Sequence, residues 1–207
     1  MKEDSCIFFD LDGTLLDSKE RLYKLFTYLV PENMLDFDAY WKIKREQKGH
    51  AHILKEYYHY SENAIAEFEQ KWQSEIEQPQ WLQYDKPFDW VNDFLNYLYP
   101  KYRLYIVTAR QSEQVVKKQL AQFEWSNLLA DVLVTKQQKE KHELINSLSI
   151  NKDNSWIVGD TGNDIQTGQL SGIKTAGVLT GFRNREILGK YNPNILVDKA
   201  LDLKNIL

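Results

Sequence analysis

The chain has 207 residues, 43% hydrophobic and 27% charged, enough for one buried core with or without a smaller companion. A net charge of −4 and a pI near 5.6 argue against a generally basic nucleic-acid surface, though not against a local basic patch. No apolar run reaches the roughly 18–20 residues of a membrane span, and the acidic start "MKEDSC" lacks the apolar stretch of a secretory signal.

In chain order, the first element is the apolar run "CIFF", which predicts a buried strand over residues 6–10. Cys6 is the single cysteine, so no intrachain disulfide forms, and a reducing, cytoplasmic setting is expected. Two carboxylates, Asp10 and Asp12, close the run, followed by Gly13 and Thr14. Residues 17–78 then read as helices. A D-x-x-E capping box at Asp17 and Glu20 opens the first, and Leu22, Leu25, Phe26 and Leu29 share one of its faces. A second helix is predicted over 36–48 and a third over 50–59. A fourth starts near Ser61, with Ile65, Phe68, Trp72 and Ile76 at helical spacing. Most aromatics of this block read as the core of a small bundle.

From Pro87 helices and strands alternate. Helices are predicted over 87–99, 112–123, 140–149 and 163–171, and strands over 103–108, 131–135, 155–160, 173–179 and 194–198. This alternation predicts an α/β fold with a parallel sheet covered on both faces. The first strand joins that sheet by its character, which makes the helical block an insertion.

Ligands of open α/β sheets bind beyond the carboxyl ends of the strands. Asp10 and Asp12, Thr108, and Asp160 with Asp164 gather at that edge. Each has a plain structural reading as a turn former, a strand-end hydroxyl or a helix cap. Together they are harder to dismiss, because D-x-D-G-T arises by chance in roughly one placement in 10⁵ at usual residue frequencies. An EF-hand is excluded, since Leu15 and Arg21 stand where its glycine and glutamate belong. Several acids at one edge repel one another, and all-oxygen ligation points to Mg²⁺ as the neutralising ion.

"FFDLDGTL", "IVTAR", a downstream lysine and "VGDTGNDI" resemble the four ordered motifs of the haloacid dehalogenase superfamily. The stretch "SGIKTAGVLTGFRNREIL…NPNILVD" is similar to its phosphoglycolate phosphatase-like branch. The resemblance implies a Rossmann-like α/β core over 1–16 and 86–207, with an α-helical cap over 17–85 inserted after the first strand. It implies a Mg²⁺-dependent phosphatase of small phosphomonoesters. Asp10 would be the nucleophile that forms an aspartyl-phosphate, and Asp12 the general acid and then base. Thr108 would donate to a phosphoryl oxygen. Asp10, Asp12 (through its backbone carbonyl), Asp160 and Asp164 would hold the ion. The phosphate-facing lysine is read as Lys141, because Lys141, Leu144, Ile145 and Leu148 share a buried face, with Lys136 in reserve. Arg110 stands where asparagine is common and is read as a substrate contact or a cap of the next helix. In the insertion, Lys48, Gly49 and His50 are candidate substrate contacts, a polar interhelical turn being the other reading. The partner expected is a small phosphorylated metabolite, with no nucleic acid and no membrane, on a monomer or homodimer. Alternatives are a sugar-phosphate phosphomutase, a 5'-nucleotidase-type phosphatase, and a binding protein that kept an idle site.

Overall fold

In a computed structural model, which describes residues 5–206, the run after Ser5 forms β1 (Cys6–Phe9) with every residue buried. Its side chains alternate between two cores, as the twofold period of a strand requires. Ile7 and Phe9 pack with Val91, Phe94, Leu104 and Leu120, while Cys6 and Phe8 pack with Tyr105, Val107, Ile145 and Ile157.

A two-stranded antiparallel ribbon, β2 (Leu16–Asp17) and β3 (Lys86–Pro87), brackets a block of helices. The block contains α1 (Lys19–Leu29), α2 (Phe37–Arg45), α3 (His50–Tyr58), α4 (Glu62–Glu75) and α5 (Pro79–Leu82). It has a core of its own, built on Phe26, Tyr40, Trp41, Ile53, Leu54, Ile65 and Phe68. Asp36 and Ser61 cap α2 and α4 by accepting from Ala39 N and Ala64 N.

After β3 come α6 (Val91–Leu98), β4 (Arg103–Thr108), α7 (Glu113–Gln122), β5 (Asp131–Val134) and α8 (Lys141–Asn146). Then follow β6 (Trp156–Gly159), α9 (Gly162–Ser171), β7 (Lys174–Val178), α10 (Arg185–Gly189) and β8 (Ile195–Val197). The main sheet has six strands in the order β5-β4-β1-β6-β7-β8, all parallel. Its order turns back at β1, so the carboxyl end of β1 faces the crevice where such sheets bind ligands. Among the described residues, no helix is long and apolar enough to cross a membrane.

Three local expectations are corrected. Asp17 forms no capping box: Ser18 is the N-cap position, and Asp17 accepts from Lys19 N at 3.1 Å and pairs with Lys19 Nζ at 3.7 Å. The helix expected at Pro87 begins at Val91, because Pro87 pairs with Leu16 in the ribbon while Phe88 and Trp90 stack at 5.7 Å and pack on the core. The helix expected over 140–149 ends at Asn146, with Leu148 and Ile150 packing on the sheet from the chain beyond it.

Candidate active site

Asp10 leaves the end of β1 with its backbone fixed by a bond from its N–H to Val158 O (2.9 Å). Lys141, the first residue of α8, reaches up beside it. Its Nζ lies 2.6 Å from Asp10 Oδ1 and 2.6 Å from Asp164 Oδ1. Asp164 is held from its other oxygen by Thr161, through the backbone N–H at 3.1 Å and the hydroxyl at 2.6 Å, in a capping box that opens α9. Asp160 accepts from Phe182 N at 2.6 Å with Oδ2, whereas its Oδ1 is buried and has no hydrogen-bond partner among the described residues.

The three carboxylates of Asp10, Asp160 and Asp164 each offer an oxygen within 4.8 Å of the others. Burial pushes the Asp10 carboxyl up to about 7, with Lys141 pulling the other way and Asp164 adding to the rise. Burial, with Asp10 and Asp164 beside it, raises Asp160 well above the usual carboxylate range. An orphaned oxygen and mutually repelling acids are the donor set that a hard, oxygen-seeking dication suits. The backbone around the Asp160 carboxylate is pared away to make room for it. Gly13 has φ +84, a Cβ there would stand 2.6 Å from Asp160 Oδ2, and one at Gly181 would stand 2.0 Å from the same atom.

Asp12 lies beside this cluster in a different setting. Its Oδ1 accepts from Ser18 Oγ (2.5 Å), Arg21 NH2 (2.6 Å) and Arg110 NH2 (2.7 Å), and its Oδ2 from Arg110 Nε (2.8 Å). Burial works to raise the Asp12 carboxyl, but Arg110 and Arg21 outweigh it and hold it below the ordinary range.

Asp10, Asp12, Thr108, Arg110 and Lys141 line one cavity of about 330 Å³, with Arg21, Glu77 and Phe182 among its other walls. Thr108 ends β4, buried, its Oγ1 accepting from Arg110 N at 3.4 Å. Arg110 spends its guanidinium on Asp12, Asp85 and Gln119, and Ser112 caps α7 instead. Lys136 points away to Glu113, 2.9 Å distant, with half its side chain exposed.

Lys48 and Gly49 are exposed on the α2–α3 turn and are not among the residues lining the cavity. The His50 ring packs against Phe26, Phe68 and Trp72, with its Nε2 2.7 Å from the Tyr40 hydroxyl. Burial, then the charge of Lys44, pulls its pKa well below the usual histidine value. It is part of the block's core.

Sequence reasoning missed Arg21, Glu77 and Phe182. Arg21 had a signal, since it sits four residues before Leu25 on the buried stripe of α1, and a charge on an apolar stripe demands a partner. Glu77 and Phe182 had none, because they reach the cavity only where the helical block meets the core. Glu77 accepts from Gln111 N (2.6 Å) and Ser112 N (3.1 Å) at the start of α7. On the other side Phe182 stacks on Trp41 at 5.5 Å, and Arg183 donates to Lys44 O at 2.8 Å.

Residues 7–178 match a family model described as haloacid dehalogenase-like hydrolase. Pyrophosphatase PpaX from Anoxybacillus flavithermus is 26% identical over 97% of this chain and 95% of its own length. Among solved structures, a haloacid dehalogenase-like family hydrolase from Streptococcus pneumoniae superposes with a TM-score of 0.80 at 23% identity, covering 98% of this chain and 97% of that one. The Bacillus subtilis protein YfnB, solved bound to magnesium, gives 0.66 at 21% identity over 100% and 99%.

Proposed function

The chain belongs to the haloacid dehalogenase-like hydrolase family, and from that premise we propose that it is a Mg²⁺-dependent phosphatase of small phosphomonoesters, working through an aspartyl-phosphate on Asp10. One observation carries the reading. At the end of the central strand, Asp10 shares a 4.8 Å cluster with Asp160 and Asp164 while Lys141 holds it at 2.6 Å. The acids of that cluster would hold Mg²⁺, which supplies charge neutralisation for them and for the phosphoryl oxygens. The magnesium-bound YfnB supports the choice of ion.

The chain's own residues divide the remaining work. Asp10 attacks phosphorus, and the ester oxygen leaves with a proton from Asp12. Water then gives a proton to Asp12 as it displaces Asp10. Positions i and i+2 leaving a strand face the same side, which brings both acids to one phosphate. The Thr108 hydroxyl and the Lys141 ammonium hold phosphoryl oxygens. The helical block acts as a cap that limits the space for a leaving group and sheds water, a role supported by the small cavity between Asp12, Arg21 and Phe182.

A second reading, inorganic pyrophosphate as substrate, is supported by the pyrophosphatase relatives and by Asp12, whose oxygens accept from two arginines and a serine. A proton reaches Asp12 only against that pull, which favours a leaving group of low basicity such as phosphate. The test is phosphate release from a panel of monoesters and from pyrophosphate, with Mg²⁺ and with EDTA, using Asp10→Asn as control. Release from monoesters supports the first reading, and release from pyrophosphate alone the second. Isomerised sugar phosphate without release points to a mutase. No turnover of any of them, or an active Asp10→Asn variant, overturns the proposal.

A further inference from the structure

Asp12 is one corner of a closed square of charges. Arg110 grips it with Nε and NH2, and the same NH2 lies 2.9 Å from Asp85 Oδ2. Arg21 bridges the same two acids more loosely: its NH2 donates to Asp12 Oδ1 at 2.6 Å, while its Nε lies 3.0 Å from Asp85 Oδ1 as an ion-pair contact without hydrogen-bond geometry. Two cations thus bridge two anions, and the square is neutral. Gln119 braces it, accepting from Arg110 NH1 at 2.7 Å and donating to Asp85 Oδ2 at 3.0 Å. The side chains differ sharply in access. Asp85 is 0% exposed, Arg21 3% and Arg110 4%, whereas Asp12 keeps 17% and lines the cavity. Asp85 does not line it.

A fully buried carboxylate is costly unless it is paired, and both of its cationic partners here are the residues that aim Asp12. Two guanidiniums repel each other, and burial, with Arg110 adding to it, makes Arg21 harder to keep charged. Asp85 stands between them. Without it they are free to part, and the two-point grip that fixes the Asp12 carboxylate plane is lost. Asp85 and Arg21 also come from opposite ends of the inserted block, next to the β2–β3 ribbon where the chain enters and leaves it. The square therefore ties the aim of Asp12 to the seat of that block.

We propose that Asp85 is a positioning residue for the proton-transferring Asp12, acting through Arg21 and Arg110 and braced by Gln119. This rests on the phosphatase reading. In the step concerned, the Asp10–phosphorus bond forms while the phosphorus–ester oxygen bond breaks. The bonding pair stays with the leaving oxygen, which takes the proton from Asp12.

The test compares kcat/KM for p-nitrophenyl phosphate, whose leaving group needs no proton, with that for a simple alkyl phosphate, whose leaving group does. Proton transfer by a placed side chain is worth about 10²–10⁴-fold, so Asp85→Asn is expected to cost the alkyl ester on the order of 10²-fold and the nitrophenyl ester only a few-fold. Gln119→Met, which removes no charge, is expected to give the same inequality at smaller size. It keeps the test open should Asp85→Asn fold poorly. A merely structural role lowers both esters by one factor in each variant, and that result overturns the proposal. The crystal structure of the Asp85→Asn protein provides a readout without substrate. An Asp12 carboxylate still gripped at both oxygens by Arg110 overturns the proposal whatever the kinetics, and a released one supports it. Wild-type protein that hydrolyses neither of these esters nor any other member of the phosphomonoester panel overturns the phosphomonoesterase reading and leaves the structure of the variant to decide this one.

Discussion

Lys141→Met tests whether the ammonium holds the acid cluster together. The side chain is 4% exposed and touches two carboxylates that are themselves 10% and 1% exposed, each at 2.6 Å. Methionine keeps an unbranched side chain one heavy atom shorter and removes the ammonium with its two donated bonds. Asp10, Asp160 and Asp164 are then left within 4.8 Å of one another with no cation in ion-pair contact among the described residues. Removing one partner of a buried pair costs about 3–5 kcal/mol. At this chain length about 2–4 °C of melting temperature follows each kcal/mol, so the drop is expected at roughly 6–20 °C. The assay is a thermal melt at about pH 8, where carboxylates escape least by taking up protons, in EDTA and in millimolar Mg²⁺. The deficit should shrink with Mg²⁺, because the ion supplies the missing counter-charge, while kcat stays down by about 10²–10³-fold. A metal-free variant that melts within about 2 °C of wild type would refute the reasoning, since that is less than about 1 kcal/mol.

Asp160→Asn should do the opposite in metal-free protein: it relieves a buried carboxylate already pushed toward protonation, keeps the acceptor for Phe182 N, and raises the EDTA melting temperature while activity in Mg²⁺ collapses. Equal melting points for the two proteins in EDTA would count against a strained acid cluster. Gly181→Ala puts a methyl group 2.0 Å from Asp160 Oδ2, so the Mg²⁺ concentration for half-maximal activity should rise steeply, at an overpacking cost of about 1–3 kcal/mol in the melt. His50 is held neutral by burial, with a folded pKa well below the 6.5 of the free side chain, so the unfolded chain binds more protons than the folded one below that pH. Stability is therefore lost as pH falls below about 6.5, by up to about 1.4 kcal/mol per pH unit, and urea titrations of His50→Gln should show a flatter slope.

The sheet was legible because its signals are local. "CIFF", "RLYIVT" and "SWIVG" are apolar runs of strand length with acids or hydroxyls at their carboxyl ends, and a parallel sheet aligns those ends by construction. Lys141 was legible for a similar reason: its spacing to Ile145 set it on the face that α8 turns to the sheet. What sequence withheld is contact between segments that only docking brings together. Arg21 and Asp85 are 64 positions apart, yet they meet at 3.0 Å because a two-residue ribbon pins both ends of the insertion. Two residues leave no periodicity to read. Arg110 carried the right charge for a substrate contact, but nothing in "TAR" reveals the two carboxylates that claim it. His50 looked like a loop residue beside Lys48 and Gly49. Its aromatic neighbours lie on α1, α2 and α4, so its burial is visible only once the block is assembled.

The central place of β1 also bears on how the chain is made. Its neighbours are β4 and β6, so once made β1 waits for residues 103–108 and then 156–159 before both its edges are paired. Synthesis proceeds at about 5–20 residues per second, which leaves the apolar strand unpaired on one side for roughly 8–30 s. The helices between Lys19 and Leu82 can condense around Phe26, Tyr40 and Phe68 during that interval, since apart from Phe182 the hydrophobic residues of their core lie within the block. Meanwhile "CIFF" is a short, strand-prone, uncharged segment of the kind that seeds aggregation. It is flanked in the sequence by Lys2, Glu3 and Asp4 before it and by Asp10 and Asp12 after it. Charges so placed keep a nascent strand from pairing with its own copies. Asp10 and Asp12 therefore also stand where the gatekeeper charges of a nascent apolar strand belong.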